Sequence, residues 1–159
     1  MGDRERIQET LRNTCRQLEE AVASISEGGW SSGVYENGWN AKQLLCHLVG
    51  GSPVGFIISM ASRESQGAPA GDVGDFDLDA FNNAEVAKRQ DRSIEELMAE
   101  RRSVDERDVE LVQRTPEEIL GRHYKAPWGA EGSVAEVIIG SLQGHTGQHL
   151  ADLRTATGG

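Results

Sequence analysis

Apolar residues recur at steps of three and four along almost the whole chain, a period that belongs to helices packed on one another. Ile7, Leu11, Cys15, Leu18, Val22 and Ile25 mark one face of a first helix over roughly residues 3–27, ended by Gly28-Gly29. Residues 30–38, with Gly33, Asn37 and Gly38 as turn formers, read as a loop. Asn40 is placed to cap a second helix that turns Leu44, Leu45 and Leu48 inward and continues toward Ser65. Gly50-Gly51 and Pro53 interrupt it. A kink or two helical pieces are expected there, because proline lacks the N–H and crowds the preceding turn.

Residues 66–76 form an acidic, Gly-rich connection. A third helix begins between Asp77 and Asp79 and carries Phe81, Val86, Ile94, Leu97, Val104, Val109 and Leu111 as its apolar positions. Ser93-Ile94-Glu95-Glu96 is a capping box that restarts it. Thr115-Pro116-Glu117-Glu118 reads as another, with proline at the first helical position, opening a short helix near residues 116–120. Residues 121–132 read as loop. Ser133-Val134-Ala135-Glu136 opens a last long helix through about Thr155, with Val134, Ile138, Ser141, Leu142, His145, His149 and Asp152 on one side. No useful β-alternation and no repeat interrupts this pattern. The expected architecture is all-α, a four-helix bundle in a single domain over residues 1–157.

A chain of 159 residues buries enough surface for one core without disulfides. Cys15 and Cys46, lacking Cys-x-x-Cys spacing, read as small buried residues. The net charge of −10, from 26 acidic and 16 basic residues, argues against nucleic acid and against an anionic membrane surface as partners. No uninterrupted run of 18 apolar residues occurs, so no transmembrane helix is expected. The charged start Met1-Gly2-Asp3-Arg4 leads into no apolar signal core, so a cytoplasmic location is expected. A P-loop and a G-x-S-x-G elbow are missing from the sequence. Thr146-Gly147-Gln148 stands where a zincin would carry its general-base Glu. The pairs Glu95-Glu96 and Glu117-Glu118 read as solvated faces.

Chemistry concentrates in the four histidines. His145 and His149 are four apart on a helical stripe that continues the apolar face, so both rings point toward the bundle interior and can grip one cation. His47 lies at the border of the second helix's buried stripe. If the second and last helices are neighbours, three neutral nitrogens converge and leave an open coordination position, the pattern of catalytic sites. The other reading, a hydrogen-bonded core histidine at His47 and a chance pair elsewhere, stands beside it. His123, between Arg122 and Tyr124, reads as exposed or locally bonded.

Three segments carry a resemblance. Gly38-Trp39-Asn40-Ala41-Lys42-Gln43-Leu44-Leu45-Cys46-His47-Leu48 places a Trp eight residues before a His-Leu pair. Asp79-Ala80-Phe81-Asn82-Asn83-Ala84 holds a Phe-Asn helix start, and Gly132-Ser133-Val134-Ala135-Glu136 leads to Gly144-His145-Thr146-Gly147-Gln148-His149-Leu150. Together they resemble the DinB/YfiT-like metal-dependent bundles, which include the mycothiol-dependent maleylpyruvate isomerase N-terminal domains.

The resemblance implies one divalent metal ion on His47, His145 and His149, with the other positions holding water or a substrate thiolate or carboxylate. Zinc is favoured on ligand number and availability, with nickel next. It further implies a small-molecule substrate and a low-molecular-weight thiol cosubstrate such as mycothiol, bacillithiol or glutathione, the reaction being an S-transfer. Maleylpyruvate isomerases carry Glu at the position of His145, so this chain departs from them toward the transferase-like or unassigned branch. The acidic surface offers an anionic thiol no attraction. A non-catalytic, stress-responsive metal-binding bundle and a metal-assisted hydrolase are the alternatives. Asp152, with Gln148 beside it, and Asn82 are candidates to orient the site, and Trp39, Phe56, Tyr124 and Trp128 to wall it. Family members often pair, so a homodimer is expected.

Overall fold

A computed structural model describes residues 1–69 and 76–156, apart from the side chain of Glu36. Helix α1 (Asp3–Ala23) ends earlier than its apolar period suggests. The Ser24 hydroxyl donates to the Ala21 carbonyl at 2.7 Å, a local bond that competes with continuation, and 3₁₀ segments follow at Glu27–Ser31 and Glu36–Gly38. Helix α2 (Ala41–Gly50) opens on the expected Asn40 cap, which the Gln43 side chain completes by accepting from the Asn40 N–H. The interruption at Gly51-Ser52 is real, and α3 (Pro53–Ser65) restarts with proline at its first position. Ser52 is extended (ψ 121°), as a residue before proline prefers.

Across Ala41–Ser65 the mean hydropathy reaches 1.7, enough by length and composition for a membrane span, although no unbroken apolar run is present. In the fold 61% of that stretch's most apolar 18-residue window is buried inside the bundle.

The third expected helix is two pieces, α4 (Leu78–Arg89) and α5 (Ile94–Arg114). Asp77 caps the first through Ala80 N–H, and Ser93 caps the second through Glu96 N–H. The Thr115 cap does not form. Its hydroxyl instead donates back to the Leu111 carbonyl at 2.6 Å, and Pro116 takes the cap position of α6 (Glu117–Leu120). Residues 121–132 are also more than a loop. Strands β1 (His123–Lys125) and β2 (Glu131–Ser133) pair antiparallel, Tyr124 opposite Gly132. The burial of Tyr124 between two exposed neighbours is the period of a strand, three residues long and too brief to show as alternation in sequence.

The last rod is α7 (Val134–Ser141), a π turn at Leu142–Thr146, and α8 (Gly147–Arg154). The Ser133–Glu136 capping box is complete, each side chain bonded to the other's backbone N–H. Both α1 and the α2–α3 rod pack against α5 and against the α7–α8 rod, so these two lie diagonally across the bundle, while α4 covers α2.

The core divides into two clusters. Ile7, Leu11, Ile57, Val112, Leu120, Ile138 and Leu142 belong to one; Leu18, Leu44, Leu45, Leu97, Leu150 and Leu153 belong to the other. In each rod the stretch between them is polar. It holds Thr14 and Cys15 in α1, Ser52 at the α2–α3 break, Arg101, Asp105 and Asp108 in α5, and Thr146 and His149 in the last rod. The bundle therefore has a polar waist, and both broken rods break at its level.

Candidate metal centre

His47 sits in the last turn of α2, only 6% exposed, with the Trp39 ring 4.9 Å from its own between centroids. Its Nδ1 is buried and makes no hydrogen bond among the described residues. Burial, and then the neighbouring His149 and His145, push the imidazole down to about 4, so at neutral pH it is uncharged with its lone pair available.

His145 and His149 come from the π turn and the first turns of α8. Their Nε2 atoms stand 3.1 Å apart, so in the metal-free protein one ring donates and the other accepts. His149 is 2% exposed. His145 departs from expectation: it is solvent-exposed rather than turned inward. The π turn, one residue wider than an α turn, carries it to the rim of the bundle.

The three rings stand nearly perpendicular to one another, at 89° and 5.8 Å for His47–His145, 88° and 5.0 Å for His47–His149, and 82° and 4.4 Å for His145–His149. One nitrogen from each ring lies within 4.8 Å of the others. Three imidazoles with one solvent-facing side suit a divalent ion that keeps an exchangeable position. The donor set fits.

The supporting residues fall out differently. Asn82 is half-buried on α4, but the contact toward the site comes from its neighbour: Asn83 Oδ1 accepts from Trp39 Nε1 at 3.2 Å, holding the indole that lies against His47. Sequence reasoning missed Asn83, although the Asn82-Asn83 pair offered two amides a step apart. Asp152 accepts from Gln148 Nε2 at 3.2 Å. Tyr124 is a core residue, 1% exposed, and walls nothing. Phe56, half-buried against the core, meets Trp128 at 5.9 Å and Phe76 at 6.1 Å, and Phe76 meets Phe81 at 5.5 Å, the last three rings being exposed. His123 bonds Glu131 across the hairpin at 3.0 Å, away from the other three.

Cys46 is buried as expected but Cys15 only half-buried, and both are held toward the neutral thiol. Burial, helped by a hydrogen bond and repulsion from Asp105, pushes Cys15 up to about 12, and burial raises Cys46 as well.

The helical bundle is that of a DinB-like protein. The chain belongs to the mycothiol maleylpyruvate isomerase N-terminal domain family, whose model matches residues 11–154. No curated protein and no solved structure matches it.

Proposed function

We propose that the protein binds one divalent metal ion through His47, His145 and His149, and is an enzyme of the low-molecular-weight-thiol S-transferase type. The observation that carries the reading is the trio of imidazoles with one nitrogen from each within 4.8 Å of the others and one member open to solvent. The name of the matching family, which pairs this domain with a mycothiol-dependent enzyme, supports the choice of cosubstrate. Zinc is favoured for the ion, nickel next.

A divalent ion held by three neutral ligands lowers the pKa of a coordinated thiol, so that thiolate is available near neutral pH. The chain's own residues set the conditions. Neutral His47 and the buried His149 supply lone pairs from a dry side, and Trp39 covers His47 from water. His145, at the exposed rim, leaves a solvent-facing side for a thiol and its electrophile. The substrate is a small molecule, and the working location is the cytoplasm. Neither nucleic acid nor membrane is a partner on this reading, and a second copy of the chain is the expected companion.

The test uses tag-free protein loaded with zinc or nickel and a chloro-dinitrobenzene electrophile, with mycothiol, bacillithiol or glutathione added separately. In the expected reaction the sulfur–carbon bond forms, chloride leaves and the thiol proton passes to solvent. Conjugation above the spontaneous rate only with thiol and metal together supports the proposal. Turnover of ester or amide substrates without thiol would instead make it a hydrolase. A metal-loaded protein that turns over neither, yet melts far lower when stripped, would make the ion structural.

A further inference from the structure

The polar waist beside the histidines contains an ion pair that the site itself does not use. Arg101 is 4% exposed and Asp105 8%. They are joined twice, Nε to Oδ2 at 3.2 Å and Nη2 to Oδ1 at 2.9 Å. The remaining Arg101 nitrogen, Nη1, donates to the carbonyl of Leu48, the residue directly after His47.

That carbonyl needs a donor for a reason written in the sequence. The last carbonyls of a helix have no partner within it, and Gly51 (φ −117°, ψ 78°) turns the chain out of the helix before the Ser52 N–H can serve Leu48. Gly51 N–H takes the His47 carbonyl at 3.0 Å; Leu48 is left to Arg101. Past the break, Ser52 Oγ donates to Asp108 Oδ2 at 2.6 Å. So α5 grips the α2–α3 junction on both flanks of Gly50-Gly51. Those glycines are tightly hemmed: a Cβ on Gly50 would meet Arg89 Nη1 at 2.8 Å, and one on Gly51 would meet the His47 carbonyl at 3.2 Å and its ring Cε1 at 3.6 Å. Two adjacent glycines beside a metal-ligating ring are a weak hinge unless something anchors them.

Stability alone does not explain the anchor. A buried ion pair is commonly matched or bettered by a well-packed apolar pair, whereas a guanidinium seated on a carboxylate aims its remaining N–H at one carbonyl and fixes direction. We propose that Arg101, oriented by Asp105 and seconded by the Ser52–Asp108 bond, is a positioning residue that sets His47 against the other two imidazoles. The inference rests on the metal reading above.

The experiment is a cobalt(II) titration of tag-free protein, followed by visible absorption and chelator competition, on wild type, Arg101→Met, Arg101→Lys and Ser52→Ala. Each is first shown to be folded by circular dichroism at the titration temperature. Arg101→Met is expected to bind cobalt about tenfold or more weakly, with an altered ligand-field band, since groups that orient ligands are worth that much. Lys, which can reach the carbonyl but not fork onto Asp105, recovers part of the loss. Ser52→Ala loses about threefold, and it decides the matter alone if Arg101→Met does not fold. Folded variants with wild-type affinity and an unchanged band overturn the positioning role. A wild-type protein that takes up no cobalt overturns the metal reading itself, and this proposal with it.

Discussion

His145 and His149 sit one turn apart yet differ sharply in burial, and that difference separates a ligand's role from a packing role. His145→Ala is expected to abolish metal binding while moving the metal-free protein's stability by no more than about 0.5 kcal/mol, as for other exposed positions. His149→Ala abolishes binding too, but also costs about 1–3 kcal/mol because it empties a buried site. Urea midpoints alongside metal uptake check both. His47 adds a pH dependence with a definite sign. The unfolded chain takes up its proton near 6.5, the folded metal-free protein only near 4. Between those values the unfolded state binds more protons, so stability declines as pH falls through the window, by up to about 3 kcal/mol, and is retained above 6.5. A His47→Gln variant should flatten that decline; an identical slope in both proteins would contradict the assignment. The histidine spacing was readable because an i, i+4 pair declares its geometry in any helix. The Trp39–Asn83 contact was not, because it joins two elements whose packing no local pattern reports.

At the scale of elements, caps and breakers spoke most clearly. Asn40, Asp77, Ser93 and Ser133 all cap where their position suggests, because a short polar side chain before an apolar run serves the first free N–H groups. Asn40→Ala and Ser133→Ala are each expected to cost about 1 kcal/mol, and the double variant about twice that, since the sites are far apart and share no partner. Thr115 shows the limit of the signature. The same motif occurs there, but the hydroxyl finds the Leu111 carbonyl of the helix behind it first. The π turn left a subtler trace. Val134, Ile138, Leu142, Thr146 and Leu150 are buried at a strict spacing of four, wider than the 3.6 residues per turn of an α-helix, and the surplus is taken up in Leu142–Thr146. The hairpin left none, because strands of three residues have no room for a pattern.

For the whole molecule, the four-rod plan was legible from periodicity alone, since each apolar stripe must find another. The division of the core by a polar waist was not, because it depends on which stretches of four separate rods come to one level. The waist is where a bound ion would tie α2 to the last rod, so binding should stabilise the whole bundle. Zinc at about a hundred times its dissociation constant is expected to add about 2.7 kcal/mol, or about 5–10 °C in melting temperature, reversed by chelation. Differential scanning calorimetry over a range of zinc concentrations checks this. The central claim meets its most direct test in elemental analysis of tag-free protein beside a His47→Ala/His145→Ala/His149→Ala variant, both dialysed against the same dilute zinc. One equivalent per chain in the wild type and none in the variant is the predicted result. Equal zinc in the two, or none in either, would contradict it.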